Sequence, residues 1–370
     1  MTKAISPGFS LYLDVVRLTA AFVVLLSHIW PLLFPGLPLP WPGHAAVVVF
    51  FVLSGYVIAL ATDRADQNAS TYVLHRVVRI MSVTIPALLL AVVIAPYVAG
   101  KDPIPGVAAM TISASDFWYS TWMNLVFLGE SWFDSITPPF NIPFWSISYE
   151  VWYYIIFGVW VYSRPAWRSW FTVVAVCLAG LNIALLLPVW LLGVALYRKG
   201  ICLPKSIAPA VFFGSLVAGL AFFWFDCSIE IRNYLITVAP TVMNSLHGSN
   251  QFVGDYLLGL IVAIHFAAAA LVREGFGFLK TFTPSIRYLA SFTLSIYLFH
   301  MPLTVFIWNG LQIRSLAGFS FLLISGIFIM GSLTERKNKL LRNWATRMLG
   351  GIGTIYYKSR ERYVKRLSNR

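Results

Sequence analysis

The sequence predicts an all-α, polytopic integral membrane protein, and three observations support this fold class. Of its 370 residues, 59% are hydrophobic and 11% are charged, whereas soluble domains have roughly 45–50% apolar and about 25% charged residues. Apolar stretches of about 20 residues recur, and each can cross a hydrocarbon core of about 30 Å. Stretches such as 45–61 are apolar on every face, which excludes the alternating pattern of a transmembrane β-barrel.

The apolar stretches predict about ten transmembrane helices. One stretch is interrupted near Gly180 and Pro188 and is counted as two short helices. The segments are 11–34, 44–62, 77–99, 143–162, 169–197, 206–225, 251–272, 288–307 and 316–334. The first segment lacks a small-residue cleavage site, so we expect it to remain as a membrane helix rather than a signal peptide.

The basic residues predict the orientation of these helices. With the N-terminus inside, most Lys and Arg residues near the ends of the spans lie on the cytoplasmic side. We therefore expect both termini in the cytoplasm. The longest outer segment, 100–142, is acidic, aromatic and rich in proline. Such a loop is a candidate lid or docking surface.

We divide the chain into a transmembrane domain, 1–334, and a basic cytoplasmic tail, 335–370. The net charge is +13, and 11 of the 27 Lys and Arg residues lie in that tail. Its apolar residues, including Leu340, Leu341 and Trp344, have helical spacing. The tail is therefore predicted to be an interfacial amphipathic helix that contacts membrane lipids rather than nucleic acid. The three cysteines lack the paired spacing of a metal or disulfide framework, so no metal site is predicted.

Ionisable residues inside apolar spans are costly and indicate function, although structural ion pairs are the alternative. The first span carries Arg17 and His28. Eleven residues return to within about 20° of the same helix face and rise about 16 Å, so both side chains are expected to line one cavity. Glu150 and His300, on two other spans, reach about the depth of His28. A carboxylate and two histidines in one layer predict an acid/base site.

Arg76 and Arg79 lie at the inner end of the third span, one helical turn apart. Two guanidinium groups on one helix face suit a phosphate-bearing ligand, because their forked donors match phosphate oxygens. The alternative is that they only mark the cytoplasmic side of the membrane.

Five motifs resemble, in order, those of the acyltransferase 3 family of membrane O-acyltransferases. The first motif is Arg17 followed by His28, and the second is Phe-Phe-Val-Leu-Ser-Gly-Tyr at 50–56. The third is the pair Arg76 and Arg79. The fourth is Trp-Ser-Ile-Ser-Tyr-Glu at 145–150, and the fifth is Ser-Ile-Tyr-Leu-Phe-His-Met-Pro at 295–302. One departure bears on chemistry: Tyr149 precedes Glu150 where the family often has a second acid.

This resemblance implies acyl transfer, most often of acetyl, from acyl-CoA inside the cell to a hydroxyl of an envelope or exported carbohydrate. The acceptor could be a lipid-linked oligosaccharide, an exopolysaccharide or a lipopolysaccharide. His28 is then the expected general base, supported by Glu150 or His300. Arg17 is expected to belong to the catalytic site and also, with Arg76 and Arg79, to contact the donor. The resemblance also implies a location in a bacterial inner membrane. Acyl-CoA would be a substrate, and no permanently bound cofactor is expected.

A secondary transporter or flippase is the alternative function. In that case, Arg17, His28 and Glu150 would relay protons or bind an anionic substrate. The sequence lacks the two related halves with broken helices that transporters often contain.

Overall fold

A computed structural model describes residues 5–37, 42–63, 68–104, 112–132, 134–200 and 203–347. These residues form helices and no β-strands, as the composition predicts. The α-helices are α1 Pro7–Leu33, α2 Gly43–Thr62, α3 Ala69–Val98, α4 Ala114–Leu125, α5 Trp145–Tyr162, α6 Pro165–Ala179, α7 Leu181–Lys199, α8 Ala208–Trp224, α9 Cys227–Val238, α10 Pro240–Ser245, α11 Phe252–Leu271, α12 Thr283–Ala290, α13 Thr293–Val305 and α14 Leu316–Leu333.

Six helices of the described chain are long and apolar enough to cross a membrane, and up to eight spans result if two bent pairs each count as one. The bent pairs are α8 with α9, at 49°, and residues 275–290 with 293–310, at 45°. Helices α5 and α6 have 18 and 15 residues, so they are shorter than the roughly 20 residues of a typical span. The predicted count of ten and the predicted orientation stay predictions.

Several helix boundaries have a local chemical cause. The Ser6 side chain accepts a hydrogen bond from the Phe9 N–H, and Pro7 occupies the first turn of α1, where a missing N–H costs nothing. The Asn68 side chain caps α3 by accepting from the Thr71 N–H at 2.9 Å. Gly180 separates α6 from α7 with φ +88°. A Cβ there would lie 2.1 Å from the Trp132 backbone nitrogen, so glycine is required.

Helix α13 occupies the centre of the bundle. Each of its 13 residues is buried, including His300. The N-terminus of α13 is capped by Glu335, whose carboxylate accepts from the backbone N–H groups of Leu294 and Ser295 at 3.2 and 2.8 Å. A carboxylate at this end also interacts favourably with the helix dipole. Glu335 lies just after α14 and therefore connects that outer helix to the core helix.

The outer segment and the tail are described only in part. The segment predicted at 100–142 contains α4, while residues 105–111 and 133 lie outside the described residues. After α14, a 3-10 turn at Glu335–Lys337 continues into helical residues as far as 347. In this stretch Leu340 and Trp344 are exposed. Residues 348–370 lie outside the described residues, so the amphipathic tail stays a prediction.

Candidate active site

Helix α1 presents Arg17 and His28 to two neighbouring cavities. The Arg17 guanidinium donates to the Asp14 carboxylate at 3.1 Å and to the Ala290 carbonyl at 3.2 Å. The second contact attaches α1 to the end of α12. The buried Arg17 Nε has no hydrogen-bond partner among the described residues.

Arg17, Arg79 and Glu150 line a narrow internal cavity, here called the arginine cavity, of about 70 Å³. Arg79 comes from α3 and Glu150 from α5. A water molecule takes about 30 Å³ of liquid, so the cavity has room for a few waters. The other polar side chains along its wall are Ser54, Ser146, Tyr154, Thr293 and Tyr297.

Two hydrogen bonds fix the Glu150 carboxylate in this cavity. Its Oε1 accepts from the Ser54 hydroxyl at 2.9 Å and from the Tyr154 hydroxyl at short range. The indole N–H of Trp190 in turn donates to the Ser54 oxygen at 3.2 Å. The sequence interpretation did not include Tyr154 or Trp190. Tyr154 could have been noticed, because it lies one helical turn after Glu150 on α5.

The side chains of the paired arginines line different spaces. Arg79 lines the arginine cavity, whereas Arg76 lines a second, largely apolar groove between α3 and α5. Tyr154 lines both spaces, and the Arg76 guanidinium lies 5.7 Å from the centre of its ring. The two guanidinium groups, which the spacing places on one helix face, thus line two spaces that Tyr154 separates. Their predicted contact with donor phosphates stays a prediction.

His28 lines a separate cavity of about 270 Å³, here called the histidine cavity, together with Ser27, His44, Trp145 and Tyr297. The His300 ring lies beside His28, with 5.4 Å between ring centres. The His300 Nδ1 pairs with the Ile296 carbonyl at 2.9 Å, and its buried Nε2 has no hydrogen-bond partner among the described residues. The structure thus brings together the two histidines that the depth estimate placed in one layer.

Glu150 was expected beside His28, but the two residues line different cavities. The cavities are adjacent, because Tyr297 and Val47 line both. The Tyr297 hydroxyl bonds to the Ser146 hydroxyl at 2.6 Å and to the Pro143 carbonyl at 2.8 Å. Tyr297 therefore forms part of the wall between the carboxylate and the histidine pair.

Sequence reasoning assigned no partner to His44, which the structure pairs with Asp255. The His44 Nε2 lies 3.0 Å from both oxygens of this carboxylate, which is fully buried on α11. The signal that could have indicated a pair is an acid inside the apolar span 251–272, since such an acid requires a partner. A search of the described residues found no group of three or more His, Cys, Asp or Glu side chains that could hold a metal ion.

Comparisons with known proteins bear on this site. A family model described as an acyltransferase domain matches residues 10–335. Acyltransferase MdmB of Streptomyces mycarofaciens is 31% identical over 149 residues, which cover 39% of this chain. The match spans about a third of that relative, 34% of its length. No solved structure is significantly similar. Because the family model spans most of the chain and includes both cavities, the protein belongs to the acyltransferase 3 family of membrane acyltransferases.

Proposed function

We propose that this protein is an O-acyltransferase that moves an acyl group, most often acetyl, from acyl-CoA on the cytoplasmic side to a hydroxyl of an envelope or exported carbohydrate. One observation carries the proposal: a cavity with two arginines adjoins a cavity with two histidines, and Tyr297 and Val47 line both. Arginine suits an anionic donor. Histidine suits proton transfer from a hydroxyl, because its unperturbed pKa is about 6.5.

The donor approaches from the end of the bundle at which α1 begins, which is the predicted cytoplasmic side. Arg17 lies ten residues after Pro7, about 15 Å along the helix, and His28 lies about 16 Å further. A long, flexible pantetheine arm can extend along this axis. The arginine cavity is small, about 70 Å³, so only part of the donor fits within it in this conformation.

In the proposed reaction, the acceptor hydroxyl gives its proton to His28 as its oxygen attacks the thioester carbonyl carbon. The bond between the acyl carbon and sulfur breaks, and an ester bond to the acceptor forms. The proton on His28 then passes to the departing coenzyme A thiolate, which leaves as the thiol. His300 lies beside the His28 ring and limits its orientation during both proton transfers.

The test uses purified protein in detergent with acetyl-CoA and acceptor glycans from the host envelope. We expect stoichiometric release of free coenzyme A and a mass gain of one acetyl group on the glycan. His28→Ala should lose transfer by about 10²- to 10⁴-fold while eluting from size exclusion as the wild type does. Full activity of His28→Ala would remove His28 from the mechanism. Movement of a glycan across vesicles without coenzyme A release would instead indicate a transporter.

A further inference from the structure

The histidine cavity contains a second histidine whose environment resembles that of a ligand-binding group. His44 lies in the first turn of α2, and its imidazole stacks on Trp145 with 5.7 Å between ring centres and 13° between planes. Its Nε2 is bonded to both oxygens of Asp255. One ring face and one ring edge are therefore held, so the imidazole has a fixed orientation.

The carboxylate makes one nitrogen of His44 a hydrogen-bond donor. A carboxylate only accepts hydrogen bonds, so the His44 Nε2 must be the donor. No hydrogen bond to the His44 Nδ1 is present among the described residues, and the side chain remains 24% exposed. Its free edge is therefore accessible within the cavity. The same arrangement orients the catalytic or metal-binding histidines of other proteins.

Burial of Asp255 argues against a purely incidental pair. The Asp255 side chain is 0% exposed, and a buried carboxylate is strongly unfavourable without a partner. A neutral polar pair or an apolar pair would fill this position at lower cost. A histidine that a buried carboxylate holds at the edge of a cavity fits a site in which the orientation of the histidine serves a ligand.

The wall of the cavity indicates what kind of ligand fits. The polar groups come from three helices: Ser27 and His28 from α1, His44 from α2, and Tyr297 from α13. The two histidines can pair with a hydroxyl, which both donates and accepts hydrogen bonds. Ser27 and Tyr297 already donate to backbone carbonyls, so they offer a ligand only their oxygens as acceptors. The volume of about 270 Å³ lies just below the range of about 300–1,000 Å³ of small-molecule pockets. This size suits a single sugar ring rather than several.

We propose that the histidine cavity is the subsite for one sugar ring of the acceptor, and that the Nδ1 of His44, positioned by Asp255, hydrogen-bonds a second hydroxyl of the ring whose first hydroxyl is acylated at His28. This inference rests on the proposed function and adds to it the part of the acceptor that is recognised. His44 and Asp255 then select a ring with a second hydroxyl, without taking part in bond breaking.

The experiment uses the purified full-length protein, acetyl-CoA and p-nitrophenyl hexosides of glucose, galactose, mannose and N-acetylglucosamine. The key variant is His44→Gln, because the terminal amide of glutamine can replace the Nε2 donor to Asp255 but offers nothing at the position of Nδ1. We expect the KM of the preferred hexoside to rise about 2- to 10-fold, as for the loss of one hydrogen bond. The KM of acetyl-CoA should not change.

His265→Gln is the matched control. His265 bonds to Tyr12 and Ser215 in a different cavity, so its replacement should leave the hexoside KM unchanged. Asp255→Asn, which weakens the positioning of His44, should raise the hexoside KM in the same direction but less. An unchanged hexoside KM in His44→Gln would overturn the proposal.

Deoxy analogues of the preferred hexoside separate binding from a structural effect. For one analogue, the wild type and His44→Gln should have the same KM, because the contacted hydroxyl is already missing. If His44→Gln raises the KM of every deoxy analogue as much as it raises the KM of the hexoside itself, His44 has only a structural role and the proposal is wrong. Release of coenzyme A without acylation of any hexoside would also overturn the sugar subsite. Complete inertness toward acetyl-CoA would instead contradict the proposed acyl transfer.

Discussion

Glu150, which was expected beside His28, lines the neighbouring cavity. It lies with Arg17 and Arg79 in the arginine cavity, bonded to Ser54 and Tyr154. Glu150→Gln keeps an oxygen for these two hydroxyls and removes only the charge. We expect kcat to fall about 10- to 100-fold, within the range of proton-transfer and electrostatic effects, while the KM of acetyl-CoA falls or stays unchanged.

The direction in which Glu150→Gln changes the KM of acetyl-CoA shows whether Glu150 contacts the donor. Loss of a negative charge beside two guanidinium groups makes the cavity more attractive to an anionic donor. A raised KM for acetyl-CoA would therefore mean that Glu150 contacts the donor directly. Glu150→Asp is the control, because it keeps the charge but withdraws it from the hydroxyls of Ser54 and Tyr154.

Glu130, in the loop after α4, is a buried acid outside the spans. Burial raises its pKa to about 8. Its Oε1 accepts from Ser135 at 3.0 Å, and its Oε2 has no partner among the described residues. The folded state thus holds this proton more tightly than the unfolded chain, in which a glutamate has a pKa of about 4.3. Stability is therefore expected to fall as pH rises from about 4.5 to about 8.

Glu130→Gln cannot ionise, so it should unfold at a higher temperature than the wild type at pH 9 and at nearly the same temperature at pH 4.5. Thermal unfolding in detergent, followed by tryptophan fluorescence, measures both. Asp134→Asn changes an exposed carboxyl of the same loop and should shift neither midpoint. Equal midpoints for Glu130→Gln and wild type at pH 9 would mean that Glu130 is not held protonated.

The long apolar helices were largely predictable, because they have few polar residues on any face, whereas the shorter and more polar helices α4, α9, α10 and α12 were not predicted. Predicted segments 44–62, 251–272 and 316–334 agree with α2, α11 and α14 within one or two residues. The break at Gly180 was also recognised, since glycine ends a helix without strain. Helix α3 begins eight residues earlier than predicted because Asn68 caps it ahead of the apolar run.

The arrangement of side chains across helices was less predictable. The rise per residue gave comparable depths for His28, Glu150 and His300, but depth does not determine how each helix is rotated about its axis. That rotation depends on packing against neighbours, and it directs Glu150 to one side of Tyr297 and His28 to the other. The contact between His44 and Asp255 joins residues 211 positions apart, which no local pattern encodes.

Because Tyr154 separates the two arginines of α3, we expect Arg76 and Arg79 to contribute unequally to donor binding. Arg79→Gln removes a guanidinium from the arginine cavity and should raise the KM of acetyl-CoA about 10-fold or more, as for a lost charged hydrogen bond. Arg76→Gln changes the neighbouring groove and should raise the KM of acetyl-CoA less than about 3-fold. Steady-state kinetics with varied acetyl-CoA measure both. Equal effects would mean that one donor reaches both sides of Tyr154.

Helices α2 and α7 cross with their backbones in contact at two glycines. A Cβ on Gly193 would lie 1.9 Å from the Val52 carbonyl oxygen, and one on Gly55 would lie 2.0 Å from the Trp190 carbonyl oxygen. Small residues permit such close approach in membranes. Gly193→Ala should therefore destabilise the protein by about 1–3 kcal/mol.

The lower stability of Gly193→Ala can be measured as a lower thermal midpoint of the purified protein. Gly214→Ala is the matched control, because a Cβ at that helical position meets nothing within 4 Å. It should leave the midpoint unchanged or raise it slightly. A wild-type midpoint for Gly193→Ala would show that α2 and α7 can separate freely. Since Ser54 and Trp190 lie at this crossing, the Glu150 network depends on it.

At the scale of the whole molecule, the orientation in the membrane determines which cavity faces which compartment. Arg17 and Arg79 lie in the N-terminal halves of α1 and α3, whereas His28 and His44 lie near the opposite side, close to the junction of α1 and α2. In the predicted orientation, with both termini in the cytoplasm, the arginine cavity lies toward the proposed acyl-CoA donor. The histidine cavity then lies toward the proposed exported acceptor.

Cysteine labelling in intact cells tests this orientation. In a background with Cys177, Cys202 and Cys227 replaced by serine, Asp116→Cys on α4 should react with a membrane-impermeant maleimide. Ser70→Cys, at the start of α3, should react only after permeabilisation; both positions are exposed. The reverse pattern would place Arg17 and Arg79 toward the outside, where acyl-CoA is absent. If the donor binds in the arginine cavity, Asp116→Cys must react in intact cells and Ser70→Cys only after permeabilisation. The reason is that the thioester is made inside the cell and the charged coenzyme does not cross the bilayer.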